Sequence, residues 1–273
     1  MFMCGEKYRR RYICGDKEPS SAALILGTSV HVVAANTLRA KLADTILKGD
    51  DVKDAAAQTV NETWEKNEME SGVYIDPEEG KTPAKAQGEV VDKAVGMCVC
   101  HAEEIAPAIN PAKELPGGHP GIEWPWVLTM NDLPYKIAGR MDVVEESGVI
   151  RDLKTAGRRP QAGKVVNDQQ LSMYTLAYNV ICGKMPTAVA LDTIVGLKSG
   201  PVYDMQVSDR SQEDINVILA KIGAAIRAIE AEVFLPANDE HWICCEKYCG
   251  FARDGSCPYF RKRVSVPQQK ELF

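Results

Sequence analysis

Charged residues inside an apolar hairpin constrain this chain more than anything else in it. The segment Gly139–Thr155, GRMDVVEESGVIRDLKT, sets Asp142 and then Asp152-Leu153-Lys154 among Met, Val, Ile and Leu. Burying a charge is costly unless something compensates it, and a divalent cation would. Ile137–Val144 and Val149–Thr155 predict two short strands. The EESG between them is a turn signal, with Gly148 suited to the left-handed position of a three-residue loop. With Glu146-Ser147-Gly148 as the loop, Asp142 falls across from Asp152, and cross-strand Cβ atoms lie about 4.5–5.5 Å apart. Asp152 and Lys154 share a face, while Leu153 points to the other. Facing carboxylates repel and favour a cation between them; oxygen-only ligands suit Mg2+ or Mn2+. A D-x-K triplet alone is common by chance, and a solvated hairpin with scattered charges is the plain alternative.

Asn167-Asp168 predicts a cap for a helix carrying Gln169, Gln170, Leu171, Met173, Tyr174, Leu176, Ala177 and Val180. Gln170 and Tyr174 stand i, i+4 on one face. A glutamine amide can bond a phosphate or a ligating carboxylate, and a tyrosine can stack or donate a hydrogen bond. Taken alone, the pair reads as a helix surface merging into core. Upstream, Gly27-Thr28-Ser29-Val30-His31 is expected to open a helix with Val30, Val33, Ala34, Thr37 and Leu38 near its buried side. A lone histidine there is more often a satisfied core residue than a ligand, although neutral imidazole can complete a metal shell.

In the order GTSVH, GRMD, DLKT, QLSMY, the chain resembles the RecB-like branch of the PD-(D/E)XK nucleases. The resemblance runs from Cys4 to about Cys257. It implies that His31, Asp142, Asp152 and Lys154 form an active site, with the Leu153 carbonyl as a further metal ligand, and that Gln170 and Tyr174 belong to an accessory Q-x-x-x-Y motif. The residues that usually lead into the first cysteine are almost absent here.

Nine cysteines, Cys4, Cys14, Cys98, Cys100, Cys182, Cys244, Cys245, Cys249 and Cys257, are an odd number, and no secretory signal is evident. Both points argue against a disulfide framework and for a reducing cytoplasm. Four of them crowd into HWICCEKYCGFARDGSC, a spacing that suits a soft metal centre. The iron–sulfur members of the same nuclease branch look similar, with one cysteine near the N-terminus and three near the C-terminus. That likeness implies a [4Fe–4S] cluster on Cys4, Cys249, Cys257 and either Cys244 or Cys245, of which Cys244 is favoured because it follows Trp242-Ile243. Zinc on the same ligands is the alternative, and unligated tail cysteines the last. Cys98, Cys100 and His101 read as helix residues, and Cys14 and Cys182 as packing residues.

At 273 residues the chain can bury the core of one enzyme domain. No apolar run is expected to be long enough for a transmembrane helix. The net charge of −6 does not announce a nucleic-acid binder, although DNA reads local potential rather than net charge. Basic groups stand at Lys7, Arg9, Arg10 and Arg11, at Arg158 and Arg159, and at Arg261, Lys262 and Arg263. Each is equally a solvated surface; Arg158 and Arg159, just past Lys154, are the best placed to hold a backbone phosphate. Helices are expected over about 28–48, 52–69, 88–106 and 211–233, and strands near 124–128, 188–197 and 202–207. Ser71–Gln87 and Asn110–Gly121 read as connectors. Trp124 and Trp126 could stack on bases, but packing on an edge strand is the plainer role. The expected fold is α/β, a PD-(D/E)XK core with a central mixed sheet between helices, forming a single domain whose cysteine-rich segment 241–260 joins Cys4.

The expected activity is Mg2+- or Mn2+-dependent hydrolysis of DNA, exonucleolytic, in recombination, repair or phage DNA processing. An endonuclease or CRISPR-adaptation nuclease and a non-catalytic DNA-binding module are the alternatives. The full set of acidic residues and the lysine argues against the last. Without helicase motifs, unwinding would fall to a helicase or recombination partner.

Overall fold

The computed structural model describes residues 3–129 and 135–261. The chain divides into two compact units, residues 20–222 and residues 1–19 with 223–273. It begins with one helical turn, α1 (Gly5–Tyr8), which continues as a π-turn over Arg9–Ile13. In the larger unit, β1 (Ser20–Ser21) leads into α2 (Ala22–Leu42), and Ser21 Oγ caps that helix by accepting the Leu24 N–H. The helix therefore starts before Gly27, which corrects the expectation that Gly27–His31 opens it. Gly27 is there for space instead, since a Cβ would sit 3.3 Å from Thr155 Oγ1.

Helix α3 (Asp50–Glu70) buries Val52, Ala56, Val60 and Trp64 at four-residue spacing, and Asp50 and Asp51 complement its N-terminus. β2 (Val73–Tyr74) pairs in parallel with β1. Helix α4 (Pro83–Cys100) starts five residues before the expected 88, because Thr82 caps it and Pro83 occupies its first turn. The connector after Ser71 is correspondingly shorter. Cys98, Cys100 and His101 are buried at the end of α4 and in the π-turn His101–Ile105, as helix residues.

Five strands form the main sheet in the order β3 (Ile122–Thr129), β4 (Lys136–Val144), β5 (Val149–Ala156), β6 (Ala188–Leu197) and β7 (Gly200–Ser208). Only β5 and β6 run parallel, so the sheet is mixed. The hairpin between β4 and β5 has the expected loop. Glu145 N–H bonds the Val149 carbonyl at 2.8 Å, and Gly148 takes φ +83°. Helices α2, α3 and α4 cover one face, sharing a core with Leu153, Val143 and Ile194. Lys154, the next residue after Leu153, bonds Gln170 on α5 (Gln169–Cys182). Successive strand residues point to opposite faces, so α5 covers the other side. Asp168 caps α5 by accepting the Gln170 and Leu171 N–H groups, and Gly183 ends it at φ +68°.

The membrane expectation also needs correction. Helix α2 is long and apolar enough to cross a bilayer by length and composition. Ile25, Val30, Val33 and Leu38 commit it to the core of this unit.

Helix α6 (Gln212–Glu230) buries Ile215, Ile218, Ile222 and Ile226. In the smaller unit the N-terminal segment is held by the C-terminal one. Gly5 N–H donates to Leu235 O at 2.7 Å, and Glu18 accepts the N–H of Gly250 at the start of α7 (Gly250–Arg253) at 2.6 Å. Lys7 pairs with Glu18, Arg9 with Glu6 and Arg10 with Asp16, and the Arg10 guanidinium lies 4.2 Å from the Phe251 ring centre. The N-terminal basic group is thus largely spent within its own unit. Lys262 and Arg263 lie outside the described residues.

Trp124 and Trp126 are buried rather than displayed, meeting Tyr178 and Tyr174 of α5 edge-on, each at 6.4 Å. The Trp126 ring occupies the space a side chain at Gly139 would need. Gly139→Ala is therefore expected to cost about 1–3 kcal/mol, measured as a lower midpoint in urea unfolding; an unchanged midpoint would show that the ring moves aside freely.

Candidate active site

The pairing of β4 with β5 stops at Val143↔Arg151. One step further in register, Asp142 and Asp152 stand across from each other where the two strands part. Asp142 Oδ2 accepts the Leu153 N–H at 2.8 Å. Asp152 is 0 % exposed, and neither of its carboxylate oxygens has a hydrogen-bond partner among the described residues. Lys154 Nζ stands 2.7 Å from Asp152 Oδ2 as an ion pair. The same ammonium donates to Gln170 Oε1 at 2.8 Å, and Gln170 Nε2 donates to the Tyr174 hydroxyl at 2.6 Å. One face of α5 thereby holds the lysine against the carboxylate.

On the α2 side, His31 Nδ1 lies 3.4 Å from Asp142 Oδ2. A third group, unforeseen from the sequence, is Glu123. One ligand atom each from His31, Glu123 and Asp142 lie within 4.8 Å of one another. These three residues line a narrow cleft that continues past His101 to Arg151 and Asp192.

The charges are partly balanced by protein groups, Lys154 beside Asp152 and Arg140 beside Glu123. Burial pushes the Asp152 carboxyl up to about 6; the Lys154 ammonium opposes that shift and the Asp142 charge adds to it. Burial and Asp142 also raise Glu123. Burial works against protonating His31, but the bond and charge of Asp142, with the charge of Asp152, raise it overall. Burial raises the Tyr174 hydroxyl, so it stays protonated. Burial takes His101 down to about 4, with the charge of His31 adding to the effect, which keeps it neutral. The opposite face of β5 carries a satisfied charge network. Arg151 bonds Glu145 at 2.6 Å and both oxygens of Asp192 at 3.1 Å, and Tyr203 donates to Asp192 at 2.6 Å. That contrast singles out Asp152 as the buried carboxylate whose oxygens lack hydrogen bonds.

Arg158 and Arg159 are exposed just beyond the end of β5, and Arg159 Nη1 reaches Asp204 Oδ2 at 3.4 Å. Within the smaller unit, the Cys244 thiol is raised by burial and by the neighbouring sulfurs of Cys257, Cys4 and Cys249. Cys4 Sγ accepts N–H bonds from Lys7 and Ala237, each at 3.4 Å. Cys245 instead donates to the Trp242 carbonyl at 3.3 Å.

The profile of the PD-(D/E)XK nuclease superfamily matches residues 3–258. The chain belongs to that superfamily, and its mixed sheet between helices fits the superfamily core. No curated protein matches it. Among solved structures it is similar to the protein SSO0001, at 12 % identity and TM-score 0.37, over 94 % of this chain and 96 % of the other. It is also similar to a candidate exonuclease from Eubacterium rectale, at 11 % identity and TM-score 0.40, over 94 % and 95 %. Both TM-scores lie under 0.5, and neither likeness bears on function.

A carboxyl raised on folding destabilises the protein once it ionises. This penalty is absent below the unfolded value, about 3.9, and complete above the folded one. For Asp152 the window therefore runs from about 4 to above 6. In metal-free buffer, Asp152→Asn is expected to be more stable than wild type at pH 8, on the order of 1–3 kcal/mol, with the gap closing by pH 4. Thermal unfolding in EDTA across that range checks it, and a gap that does not change with pH would contradict it.

Proposed function

We propose that the chain is a Mg2+- or Mn2+-dependent deoxyribonuclease, acting as an exonuclease on DNA ends in recombination, repair or phage DNA processing. The observation that carries the reading is Asp152: a fully buried carboxylate, one register step past the last β4–β5 pair, beside Asp142 and ion-paired with a lysine. A carboxylate is not left in that state by packing alone. The donors fit a hard dication, being two aspartates, an imidazole and a strand carbonyl. Asp142, Asp152, His31 and the Leu153 carbonyl would hold it. When bound, such an ion polarises a phosphodiester and lowers the pKa of an attacking water.

The protein groups have separable tasks. The Lys154 ammonium, held between Asp152 and Gln170, orients the water and stabilises the extra negative charge of the pentavalent phosphorus. Gln170 fixes that ammonium from the far side, and Tyr174, braced on Trp126, fixes Gln170. Arg158 and Arg159 follow the catalytic strand at the surface and would meet the backbone of the DNA. A helicase or recombination protein would supply unwinding.

The four cysteines Cys4, Cys244, Cys249 and Cys257 would carry a [4Fe–4S] cluster that ties the two ends of the chain together. Zinc on the same ligands is the alternative, and the neighbours of Cys244 support that residue over Cys245 as the fourth ligand.

Asp152→Ala and Lys154→Ala are each expected to lose at least about a thousandfold of Mg2+- or Mn2+-dependent cleavage while keeping the wild-type circular dichroism. Full activity in either would contradict the assignment. End-labelled linear DNA should be shortened progressively while circular single strands stay intact; cutting of the circles would mark an endonuclease. Cys249→Ala is expected to lose the visible iron–sulfur absorbance of an anaerobic preparation, whereas a colourless wild type with stoichiometric zinc would overturn the cluster.

A further inference from the structure

Strand β3 is not regular. Ile122 joins the core shared with α2, α3 and α4. Trp124 and Trp126, which should lie on the same side, stack instead on Tyr178 and Tyr174 of α5. Residues two apart in a strand share a face, so the alternation reverses between Ile122 and Trp124. The reversal is made by Glu123, whose φ is +51°. That left-handed conformation costs a residue with a Cβ about 1–2 kcal/mol. Ile122↔Val143 and Trp124↔Met141 are both paired, while the step between them, Glu123 opposite Asp142, is not. Strain of this kind persists where the surroundings enforce it, and it collects at ligand sites.

Here the kink delivers a carboxylate into the cleft with His31 and Asp142, within 4.8 Å of both. On its outer side Glu123 is ion-paired with Arg140 Nε, and the Arg140 side chain is 66 % exposed. Two carboxylates and an imidazole therefore converge, with Arg140 as the outer cation.

We infer that Glu123 is a further ligand of the dication proposed above, and that Arg140 neutralises Glu123 until the ion arrives. Arg140 is then a competitor for the same carboxylate, held at the surface where it can swing away. The inference rests on the hydrolase reading. Its own content is that this chain bends β3 to bring a ligand from outside the hairpin.

The test is binding of Mn2+ alone, without DNA, by calorimetry and by the electron paramagnetic resonance of the bound ion. Glu123→Gln is expected to weaken Mn2+ binding about tenfold or more and to alter the spectrum. Arg140→Gln is expected to tighten it about threefold by removing the competing charge. Unchanged affinity in Glu123→Gln, or weaker binding in Arg140→Gln, overturns the inference while leaving the hydrolase reading in place. Failure of the wild type itself to bind Mn2+ removes the hydrolase reading and this inference with it. Should Glu123→Gln not fold, the exposed position 140 decides alone.

Discussion

A carboxylate sealed in the sheet beside a lysine sets the terms for the rest of the larger unit. Asp152 lies on β5, paired with Leu191 of β6 on one side, while Asp142 of β4 holds the next N–H on the other, so its backbone has little freedom to carry the side chain outward. An ionised group there demands either a proton or a cation. Lys154 partly meets the demand from the same strand face, and α5 pins Lys154 through Gln170. The helix cap at Asp168, the Tyr174–Trp126 contact and the seating of the Trp126 ring against Gly139 hold α5 and β3 around that pin. The packing of this face and the poise of the carboxylate are one arrangement.

The two faces of β5 treat charge differently. Behind the strand, Arg151, Asp192, Glu145 and Tyr203 satisfy one another, and Asn110 N–H completes Glu145 at 3.1 Å. A network closed in this way stiffens a core. In front, Asp152 faces the Lys154 ammonium and Asp142 accepts the Leu153 N–H. A rigid backing of this kind fixes the positions of those carboxylates, which is what preorganised electrostatics requires.

Much of this was legible from residue order, and the reasons are specific. Gly148 fixed the loop length, the loop length fixed the register, and the register brought Asp142 to Asp152. Asp168 announced α5 through its capping chemistry. The starts of α2 and α4 were less legible because Gly27 and Gly88 look like breakers, while the true caps, Ser21 and Thr82, sit several residues earlier. Glu123 was not legible at all. A single glutamate in a tryptophan-rich strand has no spacing signal, and nothing in its identity announces a positive φ. Its role depends on a backbone reversal that only the packing of Ile122 and Trp124 on opposite faces reveals. The buried partners of Arg151 were equally hidden, since they come from β6, β7 and the hairpin turn.

The most direct measurement is the anomalous diffraction of a crystal soaked in Mn2+. The account predicts a manganese peak bound by carboxylate oxygens of both Asp142 and Asp152, next to the Lys154 ammonium. A soaked crystal with no peak there, or with the metal bound elsewhere while Asp152 keeps its proton, would contradict it.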